Sequence, residues 1–199
     1  MNTMIPQSAL LGEAVAFEAN IPLLWQPLQM PLGDVQLMSL NRENIGALQT
    51  MQFIDEYFPG QVDDSDQLNG DLARIEFKLN LLMELFGKWL QANSVQPEQR
   101  WVKMHSRGLE WIEVVPLIAP IPIGSFGILT LHLEPKYPGA IRLYAQVVDE
   151  SPLPDEAFRL AVRFEGLAPN VQNWLDKIVF RFHRRTIAYR KQQTQRDCA

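Results

Sequence analysis

From residue 101 onward, apolar and polar side chains alternate in a series of short segments, and this alternation restricts the fold more than any other feature of the chain. A period of two is typical of a β-strand with one buried face, because successive side chains point to opposite sides of the sheet. Turn-forming residues, such as those at 106–108, separate the segments. The predicted strands span residues 101–105, 109–115, 127–133, 140–148 and 158–164.

Short antiparallel strands at this spacing favour a small barrel. A final helix begins at Pro169-Asn170, and its apolar stripe through Val171, Leu175 and Ile178 would close the barrel. The predicted fold class is therefore α+β: a small antiparallel β-barrel of about six strands, closed by a C-terminal helix and preceded by a helical extension.

The residues before the barrel divide at the point where helical patterning begins. Residues 1–40 contain four scattered prolines, and we expect an irregular segment with short strands at 14–17 and 21–25, draped over the core. Asn41 can act as an N-cap, so the predicted helical extension spans 41–93. The predicted barrel with its C-terminal helix spans 100–192.

The helical extension contains a heptad-like apolar pattern with successive spacings of 3, 4, 3, 4 and 3. Two interpretations stay open: the helix packs on its own domain, or part of this face meets another copy in a homo-oligomer. The positions concerned are Leu72, Ile75, Leu79, Leu82, Phe86 and Trp89.

Composition restricts the partners of this 199-residue chain. Its net charge of −5 gives no general attraction to nucleic acid or to an anionic membrane, so we expect neither as a partner. The longest apolar stretch, 114–123, is interrupted by three prolines, and we expect no membrane insertion. The single cysteine, Cys198, fits a reducing compartment, and the expected location is the cytoplasm.

Catalytic chemistry needs a nucleophile, a base and charge-stabilising groups that converge. The three histidines are far apart in sequence, and no two have a metal-ligand spacing. Neither of the glycine-rich loops that cradle phosphates occurs. We therefore predict a protein that is not an enzyme, with no catalytic residue, no metal site and no cofactor.

Two places invite a functional interpretation. The turn at Ser106, Arg107 and Gly108 is either an ordinary hairpin, in which Gly108 supplies a positive φ, or a ligand contact. The basic face of the last helix is either a solvated surface or a site for an anionic ligand, an acidic partner or, least favoured, RNA. Its members are Arg181, Arg184, Arg185 and Arg190.

In this order of elements the chain resembles the PilZ domain family, bacterial receptors for cyclic di-GMP. The features that carry the resemblance are a strand, a Ser/Gly turn, a second strand opening with Leu109-Glu110-Trp111, and a terminal helix with Ile178 to Arg185. Residues 78–82, Lys-Leu-Asn-Leu-Leu, are similar to the helical extension of atypical members. The resemblance implies a barrel and a signalling role.

The ligand motifs of that family are incomplete in this chain. The family pattern has RxxxR before the first strand and [DN]xSxxG after it, but Met104 stands at the Asp/Asn position and Leu109 at the Gly position. Ser106 matches, whereas no RxxxR precedes Trp101. The spacing Arg181 to Arg185 satisfies RxxxR, but on the terminal helix. We therefore expect weak or no binding of cyclic di-GMP.

Three functional hypotheses follow. The first is an atypical PilZ-like adaptor that acts through protein partners in bacterial cyclic di-GMP-related signalling, in motility or surface behaviour. The second is a receptor with a degenerate cyclic di-GMP site near Ser106 and Arg107. The third is an oligomeric scaffold assembled through the helix at 72–89.

Overall fold

The computed structural model describes residues 15–57, 75, 78, 79, 82, 97–114, 121–134, 137, 139–153 and 157–197. Its elements are β1 (Phe17–Pro27), α1 (Asp34–Tyr57), β2 (Glu98–His105), β3 (Gly108–Val114), β4 (Phe126–Leu131), β5 (Ile141–Leu153), β6 (Ala157–Phe164) and α2 (Pro169–Asp197). All six strands form one closed antiparallel barrel in the order β1-β2-β3-β6-β5-β4. The predicted fold class is confirmed, with β1 as the sixth strand.

β1 closes the barrel because it pairs with β2 along one edge and with β4 along the other. The sequence predicted two short strands in an irregular segment at this place, whereas the structure has one strand of 11 residues in the barrel wall. Pro22 lacks a backbone donor, but its carbonyl oxygen accepts a hydrogen bond from His132 N at 3.2 Å. The barrel therefore uses chain from both sides of α1.

The core consists of the side chains that point into the barrel from alternate strand positions. Fully buried examples are Leu109 and Trp111 on β3, Leu129 and Leu131 on β4, and Leu143 on β5. Each buried leucine contributes roughly 1.5–3 kcal/mol relative to an exposed one, so the alternation seen in the sequence also accounts for the stability of the wall.

α2 covers one opening of the barrel with the apolar stripe that the sequence predicted. Val171, Leu175 and Ile178 are buried in the main core. Phe182 stacks on Phe17 of β1, with ring centroids 4.9 Å apart. The closing role predicted for the C-terminal helix is thus confirmed.

α1 begins at Asp34 rather than at Asn41, so the predicted N-cap at Asn41 is wrong. The Asn41 amide lies inside the helix and serves a tertiary contact instead. Its Nδ2 donates to the carbonyl oxygen of Gly166 at 2.9 Å, and its Oδ1 accepts from Ala168 N at 3.0 Å. Since Asn at a helix start and Asn in a tertiary contact use the same amide chemistry, sequence does not separate them.

A second amide, that of Asn44, attaches α1 to the barrel. Asn44 is buried; its Nδ2 donates to the carbonyl oxygen of Arg142 at 2.7 Å, and its Oδ1 accepts from Arg142 N at 2.9 Å. This two-point contact holds α1 against the beginning of strand β5, and Leu48 and Met51 on the same helix are buried in the core.

Candidate functional site

The turn predicted to carry ligand contacts joins β2 to β3. Residues 106 and 107 form the turn itself, and the preceding Met104 is fully buried in the barrel core. Met104 pairs across the hairpin with Leu109, which is also fully buried. The position at which the family that this chain resembles has Asp or Asn thus belongs to the core, because Val102 and Met104 of β2 both point into the barrel.

The backbone polar groups of this turn are bonded within the protein. Ser106 O accepts from Gln172 Nε2 of α2 at 2.9 Å, and Arg107 O accepts from Phe164 N at 2.9 Å. Arg107 N donates to His105 Nδ1 at 3.1 Å. The turn is therefore attached to β6 and to the first turn of α2, and Arg107 is the most exposed residue of the turn.

His105 depends on its neutral form in this arrangement, because a protonated Nδ1 has no lone pair to accept from Arg107 N. Burial lowers the pKa of His105, and the nearby Arg107 guanidinium lowers it further. Both effects disfavour protonation of His105, which would add a second positive charge at the turn.

Gly108 does not supply a positive φ, so that part of the hairpin prediction is wrong. Among the described glycines, the positive φ values belong to Gly124 and Gly166. A Cβ atom at Gly108 would lie 2.5 Å from the carbonyl oxygen of Val162 on β6. Close approach of the neighbouring strand, rather than turn conformation, requires glycine here.

Arg100 directly precedes Trp101, close to where the family's RxxxR motif would lie. Its side chain forms ion pairs within the protein. Its Nη1 forms an ion pair with Glu113, and its Nη2 lies 3.3 Å from Glu98 Oε2. Glu113 also accepts a hydrogen bond from Trp111 Nε1 at 3.1 Å. Arg100 is thus a structural ion-pair partner at the barrel end opposite the turn.

The arginines of the predicted basic face of α2 differ in their burial and in their partners. Arg185 Nη1 lies 3.3 Å from Oε2 of the buried Glu134, and Arg185 also lies over the Phe182 ring. Arg181 is half-buried, with Nε and Nη2 inaccessible to solvent. Arg184 is exposed and lies over the Phe180 ring at 5.9 Å. The side chain of Arg190 lies outside the described residues.

The predicted oligomer face is described at three of its six positions. Ile75, Leu79 and Leu82 are helical, and their side chains are 59%, 55% and 62% exposed. Leu72, Phe86 and Trp89 lie outside the described residues. The three described positions therefore present apolar surface to solvent on one side of a helix.

The part of the chain that the structure describes contains no group of three or more His, Cys, Asp or Glu side chains arranged to hold a metal ion. None of the helices in that same part has an apolar stretch long enough to span a bilayer.

Sequence reasoning missed Phe180 and Ile187, two large apolar residues that are exposed in the described part of α2. Phe180 lies two positions after Ile178, off the apolar stripe that faces the barrel, and this offset was the available signal.

Comparison with known proteins gives one family match and several structural likenesses. Residues 48–192 match the family model described as atypical PilZ domain, cyclic di-GMP receptor. No curated protein matches the chain. A solved structure from Xanthomonas campestris, described as a tetrameric PilZ domain self-assembled via an unusual helical bundle, is 21% identical, with a TM-score of 0.66 over 89% of this chain and 92% of that one.

Two further solved structures are similar over a smaller part of the chain. The Bacillus subtilis inhibitor of motility MotI/DgrA is 16% identical, with a TM-score of 0.36 over 42% of this chain and 41% of that one. The PilZ domain of YcgR from Escherichia coli, solved with c-di-GMP, is 17% identical, with a TM-score of 0.39 over 47% of this chain and 77% of that one. The Xanthomonas structure shares the fold over nearly the whole chain.

Proposed function

Because the chain belongs to the atypical PilZ domain family, we propose that it is a non-enzymatic adaptor in bacterial cyclic di-GMP-related signalling, in motility or surface behaviour. It acts in the cytoplasm through protein–protein contacts and binds the dinucleotide weakly or not at all. The observation that carries this proposal is the fully buried Met104, a core residue at the position where the ligand motif needs Asp or Asn.

The charges around the turn support the same conclusion. Arg100 is committed to Glu113 and Glu98, and Arg107 is the one arginine of the β2–β3 turn. A dinucleotide with two phosphates gains roughly 1.5–3 kcal/mol from each charge-assisted hydrogen bond, so the loss of two arginines lowers affinity by several orders of magnitude. The family description names a cyclic di-GMP receptor, whereas this chain has Met104 and Leu109 at two positions of the PilZ ligand motif.

Calorimetric titration of the full chain with cyclic di-GMP tests the proposal. We expect no binding at micromolar concentrations, in wild type and in Arg107→Ala alike. Low-micromolar binding that Arg107→Ala abolishes would instead support the alternative, a receptor with a degenerate site at Ser106, Arg107 and Gly108.

Homo-oligomerisation through the helix at 72–89 is a second candidate function, and it is compatible with the first. The exposed Ile75, Leu79 and Leu82 favour it, because apolar side chains at heptad spacing are stabilised when a second helix covers them. The Xanthomonas structure with the same fold is described as self-assembled via a helical bundle.

Sedimentation velocity of Leu79→Asp against wild type tests this assembly. We expect wild type to sediment as an oligomer and Leu79→Asp as a smaller species. Met38→Asp is the matched control, since Met38 is an exposed apolar residue on α1, away from the heptad positions. A monomer in all three proteins removes the oligomer hypothesis.

A further inference from the structure

The solvent side of α2 carries a row of exposed residues that alternate between cationic and apolar: Lys177, Phe180, Arg184 and Ile187, called the outer row below. Phe180 is 53% exposed and Ile187 is 40% exposed. Successive spacings of 3, 4 and 3 place the four side chains on one line along the helix, roughly 15 Å long at 1.5 Å per residue. This spacing is the one with which a second helix packs along a first.

Aromatic rings hold both cations of the outer row. Lys177 Nζ lies 4.4 Å from the centre of the Trp174 ring, and Arg184 lies 5.9 Å from that of Phe180. Such contacts restrict the rotamers of long side chains and leave their polar hydrogens available to an external acceptor. Arg185, by contrast, points to the buried Glu134 and does not belong to the row.

Charge is strongly segregated between this helix and the rest of the protein. The helix, Pro169–Asp197, contains seven Lys and Arg against two Asp, a net charge of +5. The remaining residues contain eleven Lys and Arg against twenty-one Asp and Glu, a net charge of −10. A basic helix on an acidic body attracts a localised acidic group, whereas the body repels an extended polyanion such as RNA or an anionic membrane.

We propose that the outer row is the docking surface for an acidic amphipathic helix of a partner protein. Apolar side chains of that helix cover Phe180 and Ile187, and its carboxylates pair with Lys177 and Arg184. The inference rests on the proposed adaptor function and names the chemistry of the partner. An anion without apolar groups would leave Phe180 and Ile187 exposed, so the alternation itself selects an amphipathic peptide.

A second copy of the chain fits this surface less well than a different protein. Residues 72–89, an amphipathic segment of the chain, contain three Lys and Arg and two Glu, so they offer no net negative charge. The exposed row of α1, with Val35, Met38 and Arg42, carries a cation in place of carboxylates. Neither of these two rows offers a set of carboxylates that would pair with both Lys177 and Arg184.

Site-specific photo-crosslinking of the full chain in its native cells tests the inference. A photoreactive benzoyl-phenylalanine replaces Phe180, or Val35 as a control at an exposed apolar position on another helix. We expect at least tenfold more adduct from position 180, with the captured peptide acidic and amphipathic. Arg184→Glu lowers the yield from position 180 at least tenfold, whereas the matched Arg42→Glu leaves it unchanged.

Several outcomes overturn the proposal: equal adducts at both positions, a captured peptide from a second copy of this chain, or capture of RNA or lipid. An affinity pull-down with the wild-type chain distinguishes a failure of the docking-surface inference from a failure of the proposed adaptor function. If that pull-down yields a partner that Phe180→Ala/Arg184→Glu retains, the outer row is not the docking surface and the adaptor function stands. If wild type yields no partner at all, both proposals fail.

Discussion

The β2–β3 turn and the outer row of α2 differ in how much of their surface is already used within the protein. At the turn, Met104 is buried, Gly108 lies against β6, and the backbone of residues 106 and 107 is hydrogen-bonded to α2 and β6. In the outer row, Phe180 and Arg184 lie in solvent. Substitutions at the turn should therefore lower stability, whereas those in the outer row should change binding alone.

Met104→Asp gives the largest expected effect. It restores the residue type of the family motif, but it buries a carboxylate among apolar side chains, and an uncompensated buried charge costs about 3–5 kcal/mol. Urea unfolding should show this loss, and titration should show no gain of cyclic di-GMP binding. Met104→Leu, the control of similar volume, should cost less than about 1.5 kcal/mol. A stable Met104→Asp protein that binds the dinucleotide would contradict the conclusion that the turn serves the fold rather than a ligand.

Gly108→Ala should lower the free energy of unfolding by about 1–3 kcal/mol, because the new Cβ overlaps the Val162 carbonyl and β6 must shift. Gly46→Ala is the control: beyond the nearby backbone of its own helix, no atom lies within 4 Å of the added Cβ, and alanine in a helix interior stabilises by about 0.5–1 kcal/mol. Chemical denaturation of both variants measures the difference. Equal stability would mean that β6 yields easily at the turn.

A smaller effect is expected from pH. Because burial and Arg107 lower the pKa of His105 in the folded protein, the unfolded chain binds a proton more readily, and stability falls as pH drops below the unfolded value of about 6.5. The urea midpoint should decrease from pH 7.5 to pH 5.5 more in wild type than in His105→Gln. The same decrease in both proteins would show that His105 does not couple to folding.

The smallest effect on stability is expected from Phe180→Ala/Arg184→Glu. Both side chains are exposed, so the free energy of unfolding should change by no more than about 0.5 kcal/mol for each residue. The measurement is urea unfolding beside the matched Val35→Ala/Arg42→Glu. A loss of several kcal/mol would show that the outer row supports the fold and would weaken its assignment as a free surface.

Local periodicity was enough to predict five strands and the closing helix, because alternation and the helical stripe are properties of neighbouring residues. β1 was missed as one strand, since Pro22 and Pro27 read as interruptions until pairing with β2 and β4 supplies both edges. Asn41 was assigned to a cap because its distant acceptor, Gly166, is invisible in sequence.

The candidate sites were predictable as segments but not as surfaces. The sequence placed four arginines on one helix, and contacts across the fold divided them: Arg185 reaches Glu134, whereas Arg184 stays in solvent. Ile75, Leu79 and Leu82 are exposed, and both the oligomer face and the homo-oligomer stay proposals.

The sequence by itself determined a barrel with a terminal helix and the absence of the family's ligand motifs. Strand alternation, helical spacing and motif identity depend on residues that are close together in the chain. The tertiary structure alone decided that β1 closes the barrel, that the β6 backbone leaves no room for a side chain at Gly108, and which cations lie in solvent. These features depend on groups far apart in sequence, and only the folded chain brings those groups within contact distance.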